Sequence, residues 1–290
     1  MSVGTAVLVT HMHPENTGDA VKTAVAVAKE AGVELVAEAD EYAKHDEALS
    51  GTDRAAAPPE RPDVCIVLGG DGSILYALRR YAETGVPVFG INFGTIGFLA
   101  AVERSELEPG LRRAFAGEFE VMALPGLEVG IEAEQRLGLN DITFARSPHG
   151  RVAELSYRIA GEEVGHVRCD GLVAATPAGS TGYNLANAGP ILAWGVKGFV
   201  VSFIAPHTLT ARALVVAPSD ALQVRNAAGR DPVHIELDGN HAAALEPGEE
   251  VEVRFRDEIG SLAQLPGASF YHRIREKFGL LGGQPDHPER

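Results

Sequence analysis

Hydrophobic residues in the first third of the chain follow two alternating spacings. Short runs rich in β-branched residues predict buried strands at residues 4–11, 33–37, 62–68 and 86–92. Between the first two runs, Val21, Val25 and Ala28 recur at the spacing of one helical face. Strands that alternate with helices form parallel sheets with helices on both faces. We therefore predict a Rossmann-like α/β domain at residues 1–118.

The segment at residues 38–61 interrupts this alternation. It is largely polar, and it contains Gly51, Pro58 and Pro59, which favour turns over regular elements. From the sequence we therefore expect an irregular surface segment between the second and third strands.

From about residue 119 the pattern changes to short β-rich runs separated by turn residues. These runs predict strands at residues 127–133, 141–144, 153–159, 171–175, 198–204, 213–216, 233–238 and 250–255. Such a succession is typical of an all-β sandwich, which we predict for residues 119–266. Residues 270–278 carry apolar and basic side chains at helical spacing. We predict that the C-terminal segment, residues 267–290, is a helix that packs back on the first domain, followed by a disordered tail from residue 282.

A glycine-rich turn lies where the spacing changes from strand-like to helical, at residues 69–73 (GGDGS). Such a turn lets backbone N–H groups approach an anion, and a helix N-terminus favours negative charge. The carboxylate of Asp71 would repel a bare phosphate, so we infer that it holds a cation or takes a proton from an attacking hydroxyl. A tight strand-to-helix connection without a ligand is the alternative, because the turn matches neither the Walker A motif nor the G-x-G-x-x-G fingerprint.

The second informative stretch extends from Cys169 to Pro190. A predicted strand is followed there by closely spaced glycine and hydroxyl residues and then by Tyr183 and Asn184. Glycine permits close backbone approach, hydroxyls can bond purines and riboses, and tyrosine offers a stacking face. A glycine-rich bend that only turns a corner is the alternative, and the number of polar donors favours a binding loop.

Composition narrows the functional classes. The formal net charge of −15 argues against nucleic acid and anionic membranes as partners. No apolar run approaches the roughly 18 residues of a membrane span, and residues 1–4 lack the basic region of a signal peptide. Cys65 and Cys169 give neither a disulfide framework nor a zinc-binding spacing, so we expect a reduced, cytoplasmic setting.

Four motifs, taken in order, resemble the NAD kinase family. They are GGDG at residues 69–72, NFGTIGFL at 92–99, Asn140-Asp141, and the stretch from Asp170 to Asn184 that contains TPAGSTGYN. The resemblance extends from Val64 to about Asn240. The GGDG turn is shared with phosphofructokinases and lipid kinases, whereas the long TPAGST segment with Asn-Asp upstream is much more specific.

The resemblance implies an enzyme that phosphorylates the 2′-hydroxyl of the adenosine ribose of NAD, with ATP as donor and Mg²⁺ as cofactor, to make NADP. It also implies a homodimer or homotetramer. Asp71 matches the proposed proton acceptor of the family, Gly72 lies beside it against the dinucleotide, and Arg79 matches a basic position near the nucleotide. The remaining positions that the resemblance assigns to substrate binding are Asn140, Asp141, Arg151, Arg168, Asp170, Thr181, Gly182, Tyr183, Asn184, Leu185, Ala186 and Asn240. No residue is assigned as a metal ligand.

Two positions depart from the family pattern. Asp141 replaces the commoner glutamate and Asn240 replaces the commoner glutamine, so each side chain is shorter by one methylene. Two other functions remain open at this stage. A lipid or sphingoid-type kinase would share the GGDG turn and need an apolar acceptor groove, and a non-catalytic regulator would bind the dinucleotide without turnover.

Overall fold

The computed structural model describes residues 3–11, 13–50, 52–55, 59–94, 97–148 and 150–278. Thr95 and Ile96 of the NFGTIGFL motif and the predicted tail from residue 282 lie outside the described residues. The chain divides into two compact units. The first comprises residues up to Met122 together with those from Ser261 onward, and the second comprises Ala123–Gly260.

The first unit contains a parallel sheet and its helices. Its elements in chain order are β1 (Thr5–Thr10), α1 (Gly18–Ala31), β2 (Glu34–Glu38), α2 (Ala39–His45), β3 (Asp53–Ala55), β4 (Val64–Gly69), α3 (Asp71–Arg80), β5 (Val88–Asn92), β6 (Val102–Glu103) and α4 (Leu107–Phe115). The strand order is β5-β4-β1-β2-β3, and every one of these pairs is parallel. The predicted α/β architecture is confirmed.

Helices cover both faces of this sheet, as the sequence predicts. On one face, Leu8, Ile66 and Phe89 belong to a buried cluster that includes residues of α1 and α4. Side chains alternate between faces along a strand, so Gly90 points the other way. A Cβ at Gly90 would lie 2.3 Å from Cδ1 of Ile74 in α3. The glycine therefore lets α3 pack closely on β5.

The expectation of an irregular segment at residues 38–61 is wrong in part, because α2 and β3 form within it. Contacts with distant residues stabilise these short elements. The Glu41 carboxylate is buried and accepts hydrogen bonds from the backbone N–H and the hydroxyl of Thr10. The Tyr42 hydroxyl donates to the carbonyl of Thr52 at 2.7 Å. Local composition does not reveal such contacts.

The second unit is a sandwich of two antiparallel sheets. The remaining strands and the short helix of the chain are β7 (Glu120–Ile131), β8 (Glu134–Gly138), β9 (Asp141–Arg146), β10 (Ala153–Ile159), β11 (Glu162–Cys169), β12 (Gly171–Ala175), α5 (Tyr183–Ala186), β13 (Phe199–Ile204), β14 (Leu214–Val216), β15 (Leu222–Asn226), β16 (Val233–Leu237), β17 (Asn240–Leu245) and β18 (Glu250–Gln264). One sheet has the order β14-β13-β12-β9-β16-β17, and the other includes β11-β10-β15-β18. Phe144 and Phe199 of the first sheet share one buried core with Leu155 and Val224 of the second. The predicted β-sandwich is confirmed.

The predicted C-terminal helix is α6 (Phe270–Lys277), and it belongs to the first unit. The Phe278 ring that follows it contacts the Phe98 ring, with 5.8 Å between centroids. Residues 262–263 at the end of β18 also pair in parallel with β5. The C-terminal segment as far as Phe278 thus packs within the first unit, as predicted. None of the helices in the described part of the chain is both long enough and apolar enough to cross a membrane.

Candidate active site

Asp71 is the first residue of α3 and follows the carboxyl end of β4. Both oxygens of its carboxylate accept backbone hydrogen bonds, from the N–H of Phe98 at 2.8 Å and the N–H of Leu99 at 3.1 Å. Burial raises the pKa of Asp71, and these two hydrogen bonds and the positive charges of Arg273 and Lys277 oppose that rise. The carboxylate is therefore fixed in orientation and is a stronger proton acceptor than an exposed aspartate.

The glycines of the GGDGS turn allow a close approach of two backbone segments. A Cβ at Gly69 would lie 2.5 Å from the hydroxyl of Ser73, and a Cβ at Gly94 would lie 3.2 Å from the Cα of Gly70. Such distances are shorter than ordinary carbon contacts. Asn92 holds the second segment, since its side-chain oxygen accepts the N–H of Gly94 at 3.0 Å. Residues 92–94 (NFG) thus pack closely against the turn that carries Asp71.

A cavity of about 560 Å³ lies in the first unit beside this turn. The carboxyl ends of β1, β2 and β4 meet here, and this edge of an open α/β sheet is where ligands bind in such folds. Residues that line it include Thr10, His11, Glu38, Lys44, Gly72 and Ser73. Sequence reasoning did not find this cavity, because its wall at residues 38–44 lies in the segment predicted to be irregular.

Carboxylates and cationic side chains form ion pairs around the cavity. Glu41 pairs with Lys44 at 2.8 Å, and Glu38 pairs with Arg80 at 2.9 Å. Burial raises the pKa of Glu38, and the charge of Arg80 opposes that rise. The N-terminus of α3, with its exposed Gly72, is the part of the wall best suited to an anion.

In the second unit, the backbone at the Asn140-Asp141 pair is held by a residue from a different strand end. The Asp238 carboxylate accepts the backbone N–H groups of Leu139 at 3.1 Å, Asn140 at 2.6 Å and Asp141 at 3.1 Å. The N–H of Asp238 in turn donates to the carbonyl of Asp141 at 3.0 Å. The sequence shows only an Asp-Gly turn after β16, which gives no indication of this partner.

The TPAG segment packs against the same pair. The Thr176 hydroxyl donates to the carbonyl of Leu139 at 2.7 Å, and the Thr176 N–H donates to the carbonyl of Asn140 at 2.9 Å. A Cβ at Gly179 would lie only 1.9 Å from the carbonyl oxygen of Asn140. Only glycine fits at that position, which explains why these two motifs form one structural element.

The carboxyl group of Asp141 is buried beside other acids. Its pKa is raised to about 7 by burial first and by the negative charge of Asp238 second, while the hydrogen bond from the Thr143 hydroxyl at 3.3 Å opposes the rise. Near neutral pH this carboxyl is therefore present in both protonation states. When protonated it can donate a hydrogen bond, which an ordinary aspartate cannot do.

Two neighbouring residues in the loop at residues 181–186 differ in their exposure to solvent. Tyr183 is 43% exposed, whereas Asn184 is buried and donates to the carbonyls of Ser180 at 2.9 Å and Pro190 at 3.0 Å. Asn184 thus holds the loop together, and Tyr183 is available for contact. Burial raises the pKa of Tyr183, and the nearby negative charges of Glu236, Asp141 and Asp170 add to this rise. Among the other loop positions, Gly182 and Ala186 are exposed, and Thr181 and Leu185 are half-buried.

The remaining predicted site residues are polar groups at the surface. Asp170 pairs with Arg146 at 2.9 Å, and Arg168 pairs with Glu154 at 3.2 Å. Arg151 is exposed, Arg79 is exposed on α3, and the Asn240 amide donates to the carbonyl of Asp238 at 3.1 Å. Asp71, Gly72 and Arg79 lie in the first unit, and all the other predicted residues lie in the second.

Both units match family models. The ATP-NAD kinase N-terminal domain matches residues 18–119, and the ATP-NAD kinase C-terminal domain matches residues 139–259. The chain belongs to the ATP-NAD kinase family. It therefore phosphorylates NAD with ATP to make NADP, and neither a lipid-type kinase nor a non-catalytic regulator is favoured.

Relatives named NAD kinase match most of the chain. An NAD kinase of Symbiobacterium thermophilum is 38% identical over 231 residues, which span 76% of this chain and 82% of that protein. An NAD kinase of Gemmatimonas aurantiaca is 34% identical over 226 residues, with 76% and 78% covered.

Solved structures show the same fold at lower identity. Yeast NADH kinase complexed with NADH has a TM-score of 0.81 at 22% identity, and the match covers 100% of this chain and 90% of that one. An NAD kinase from Archaeoglobus fulgidus in complex with ATP has a TM-score of 0.69 at 23% identity, covering 97% and 100%.

Proposed function

We propose that the enzyme transfers the γ-phosphoryl group of ATP to the 2′-hydroxyl of the adenosine ribose of NAD, and that Asp71 accepts the proton of that hydroxyl. The 2′-oxygen forms a bond to the γ-phosphorus while the bond from that phosphorus to the bridging oxygen breaks, which releases ADP. The observation that carries this proposal is the geometry of Asp71. Its carboxylate is oriented by two backbone N–H groups, and its pKa is raised by burial. A carboxylate has about four lone-pair sites, so two remain for the substrate hydroxyl.

The donor is proposed to lie at the GGDGS turn. The backbone N–H groups at the start of α3 face the phosphates, and the nucleoside occupies the adjoining cavity of about 560 Å³. The complex of ATP with the Archaeoglobus fulgidus enzyme supports the choice of nucleotide. The turn is thus proposed to have two roles, because its glycines bind the donor phosphates and Asp71 accepts the proton of the hydroxyl.

Mg²⁺ is proposed as the cofactor. Within the described ranges, no cluster of three or more His, Cys, Asp or Glu side chains is arranged to hold a metal ion. Magnesium is usually bound through substrate phosphates and only one or two carboxylates, so it does not require such a cluster. When bound, Mg²⁺ supplies charge neutralisation at the donor phosphates. The chain itself orients the nucleotide at the turn and holds the carboxylate that receives the proton.

The acceptor is proposed to lie in the second unit. Asn140 and Asp141 bond the ribose and base, the exposed Tyr183 ring stacks on a base, and Asp170 supplies a further polar contact. Support comes from the way in which Asp238 and Thr176 fix the backbone of the Asn-Asp pair. The complex of yeast NADH kinase with NADH is consistent with a dinucleotide acceptor.

The oligomeric state and the cellular location of the enzyme are further proposals. We propose a cytoplasmic homodimer or homotetramer. The edge strand β14 supports self-association, because Val215 is 56% exposed and Leu214 is 36% exposed there. Unpaired strand edges with apolar side chains are common sites of chain association.

The catalytic proposal is tested by an NADP-forming assay on Asp71→Asn. We expect kcat to fall about 10²- to 10⁴-fold, the usual contribution of a positioned base. Asp19→Asn is the matched control, because Asp19 is fully exposed on α1 and pairs only at 3.7 Å with Lys22. Thermal unfolding of both variants checks that the fold is intact. Undiminished turnover in folded Asp71→Asn would exclude Asp71 as the proton acceptor.

A further inference from the structure

The C-terminal helix holds the backbone turn that contacts the catalytic carboxylate. One guanidinium nitrogen of Arg273 donates to the carbonyl of Phe98 at 2.9 Å and also to the carbonyl of Ala100. The other nitrogen donates to the side-chain oxygen of Gln264, whose amide donates to the carbonyl of Leu99 at 2.8 Å. Three consecutive carbonyls are thus held by Arg273 and Gln264.

The same turn presents its N–H groups to Asp71. Phe98 and Leu99 donate the two hydrogen bonds that orient the carboxylate. Because a peptide unit is planar, fixing the carbonyl of Phe98 also fixes the N–H of Leu99, which lies in the same plane and donates to Asp71. Arg273 therefore acts on Asp71 through the backbone that lies between them.

Further contacts hold the helix in place. The Lys277 ammonium pairs with Glu103 at 3.1 Å, and the Phe278 ring packs on the Phe98 ring. Arg273 itself is half-buried, and burial lowers its pKa while the charge of Asp71 opposes this. A guanidinium that is taken out of water in this way loses hydration, which its three hydrogen-bond acceptors replace.

We propose that Arg273 is a positioning residue for phosphoryl transfer, which fixes the turn at residues 98–100 and through it the carboxylate of Asp71. The proposal rests on the proposed role of Asp71 as proton acceptor. Arginine suits this role better than lysine, because its planar fork reaches several acceptors at once. The positive charge of Arg273 also acts on Asp71, because it favours the ionised form of that carboxyl.

The test compares Arg273→Gln and Arg273→Lys with Arg275→Gln. Arg275 lies on the same helix, is exposed, and its guanidinium contacts His272 at 2.8 Å, so it is the matched control. The readouts are kcat at saturating NAD and ATP from pH 5 to pH 9, the KM for NAD, and the thermal unfolding temperature.

For Arg273→Gln we expect kcat to fall about 10- to 100-fold, the usual effect of a misplaced catalytic group, with little change in the KM for NAD. The acid limb of the pH profile moves to higher pH, because loss of the positive charge disfavours the ionised form of Asp71. Arg273→Lys keeps the charge and loses the fork, so it retains the acid limb and has an intermediate kcat. Arg275→Gln behaves as the wild type.

Several outcomes would overturn the proposal. If Arg273→Gln keeps the wild-type kcat and acid limb while Asp71→Asn is inactive, Arg273 has no positioning role and the proposed function stands. A lower unfolding temperature with an unmoved acid limb indicates a structural role only, which also overturns it. If Arg273→Gln does not fold, Arg273→Lys decides, and full wild-type kcat in that variant overturns the proposal. Full activity of Asp71→Asn contradicts the proposed function instead.

Discussion

The buried carboxyl of Asp141 makes the stability of the enzyme depend on pH in an unusual direction. In the unfolded chain its pKa has the ordinary value of 3.8, and in the fold burial raises it to about 7. The folded state thus binds more protons than the unfolded state between these values, so stability is lost as pH rises through this window. At 1.36 kcal/mol per unit, the shift corresponds to about 4 kcal/mol once the carboxyl is ionised.

Replacing Asp141 by asparagine removes this titration and keeps the size of the side chain. We expect the free energy of unfolding of Asp141→Asn, relative to the wild type, to increase by about 3 kcal/mol between pH 5 and pH 8, by the same linkage. The gain appears because only the wild type has to bury a charge beside Asp238 at the higher pH. Chemical denaturation at several pH values measures this difference, and subtraction of the wild type cancels the other titrating groups.

The matched control is Asp257→Asn in the same unit. Asp257 is exposed and pairs with Lys197 at 3.3 Å, so its replacement gives a difference that changes little with pH. A difference for Asp141→Asn that is equally flat, or that decreases as pH rises, would refute the assignment of a buried carboxyl with a raised pKa at this position.

Two further substitutions test the dinucleotide loops. Gly179→Ala places a methyl group against the carbonyl of Asn140. We therefore expect a raised KM for NAD and a destabilisation of about 1–3 kcal/mol from forced backbone shifts. Gly195→Ala is the control for the same assays, because no atom lies within 4 Å of a new Cβ at that position. Tyr183→Ala removes an exposed ring and should raise the KM for NAD about tenfold, at the lower end of measured base-stacking energies, while Tyr183→Phe keeps the wild-type KM. Equal KM values for the Ala and Phe variants would show that the ring does not stack on the substrate.

The sequence by itself determined the architecture of each unit and the types of many of its elements, but it did not predict α2, α4 or several strands of the sandwich. A change from strand-like to helical spacing across the GGDGS turn correctly predicted β4 and α3, and the succession of short β-rich runs predicted the sandwich. These patterns are visible in one dimension because burial repeats with the period of each element, and because a tight turn requires glycine at Gly69. The ordered motifs likewise predicted the family, since each of them is a short run of consecutive residues.

Only the tertiary structure decided how the candidate site is held. Asp238 binds the backbone of Asn140 across 98 positions of the chain, and Arg273 binds the carbonyl of Phe98 across 175. The helix α2 likewise forms where the sequence predicted irregular structure, because Glu41 bonds to Thr10 on a neighbouring strand. Hydrogen bonds and pKa shifts depend on which groups the fold brings within about 3 Å and removes from water. Hydrogen bonds between distant residues and pKa shifts do not recur at a fixed spacing along the sequence, so they cannot be predicted from it.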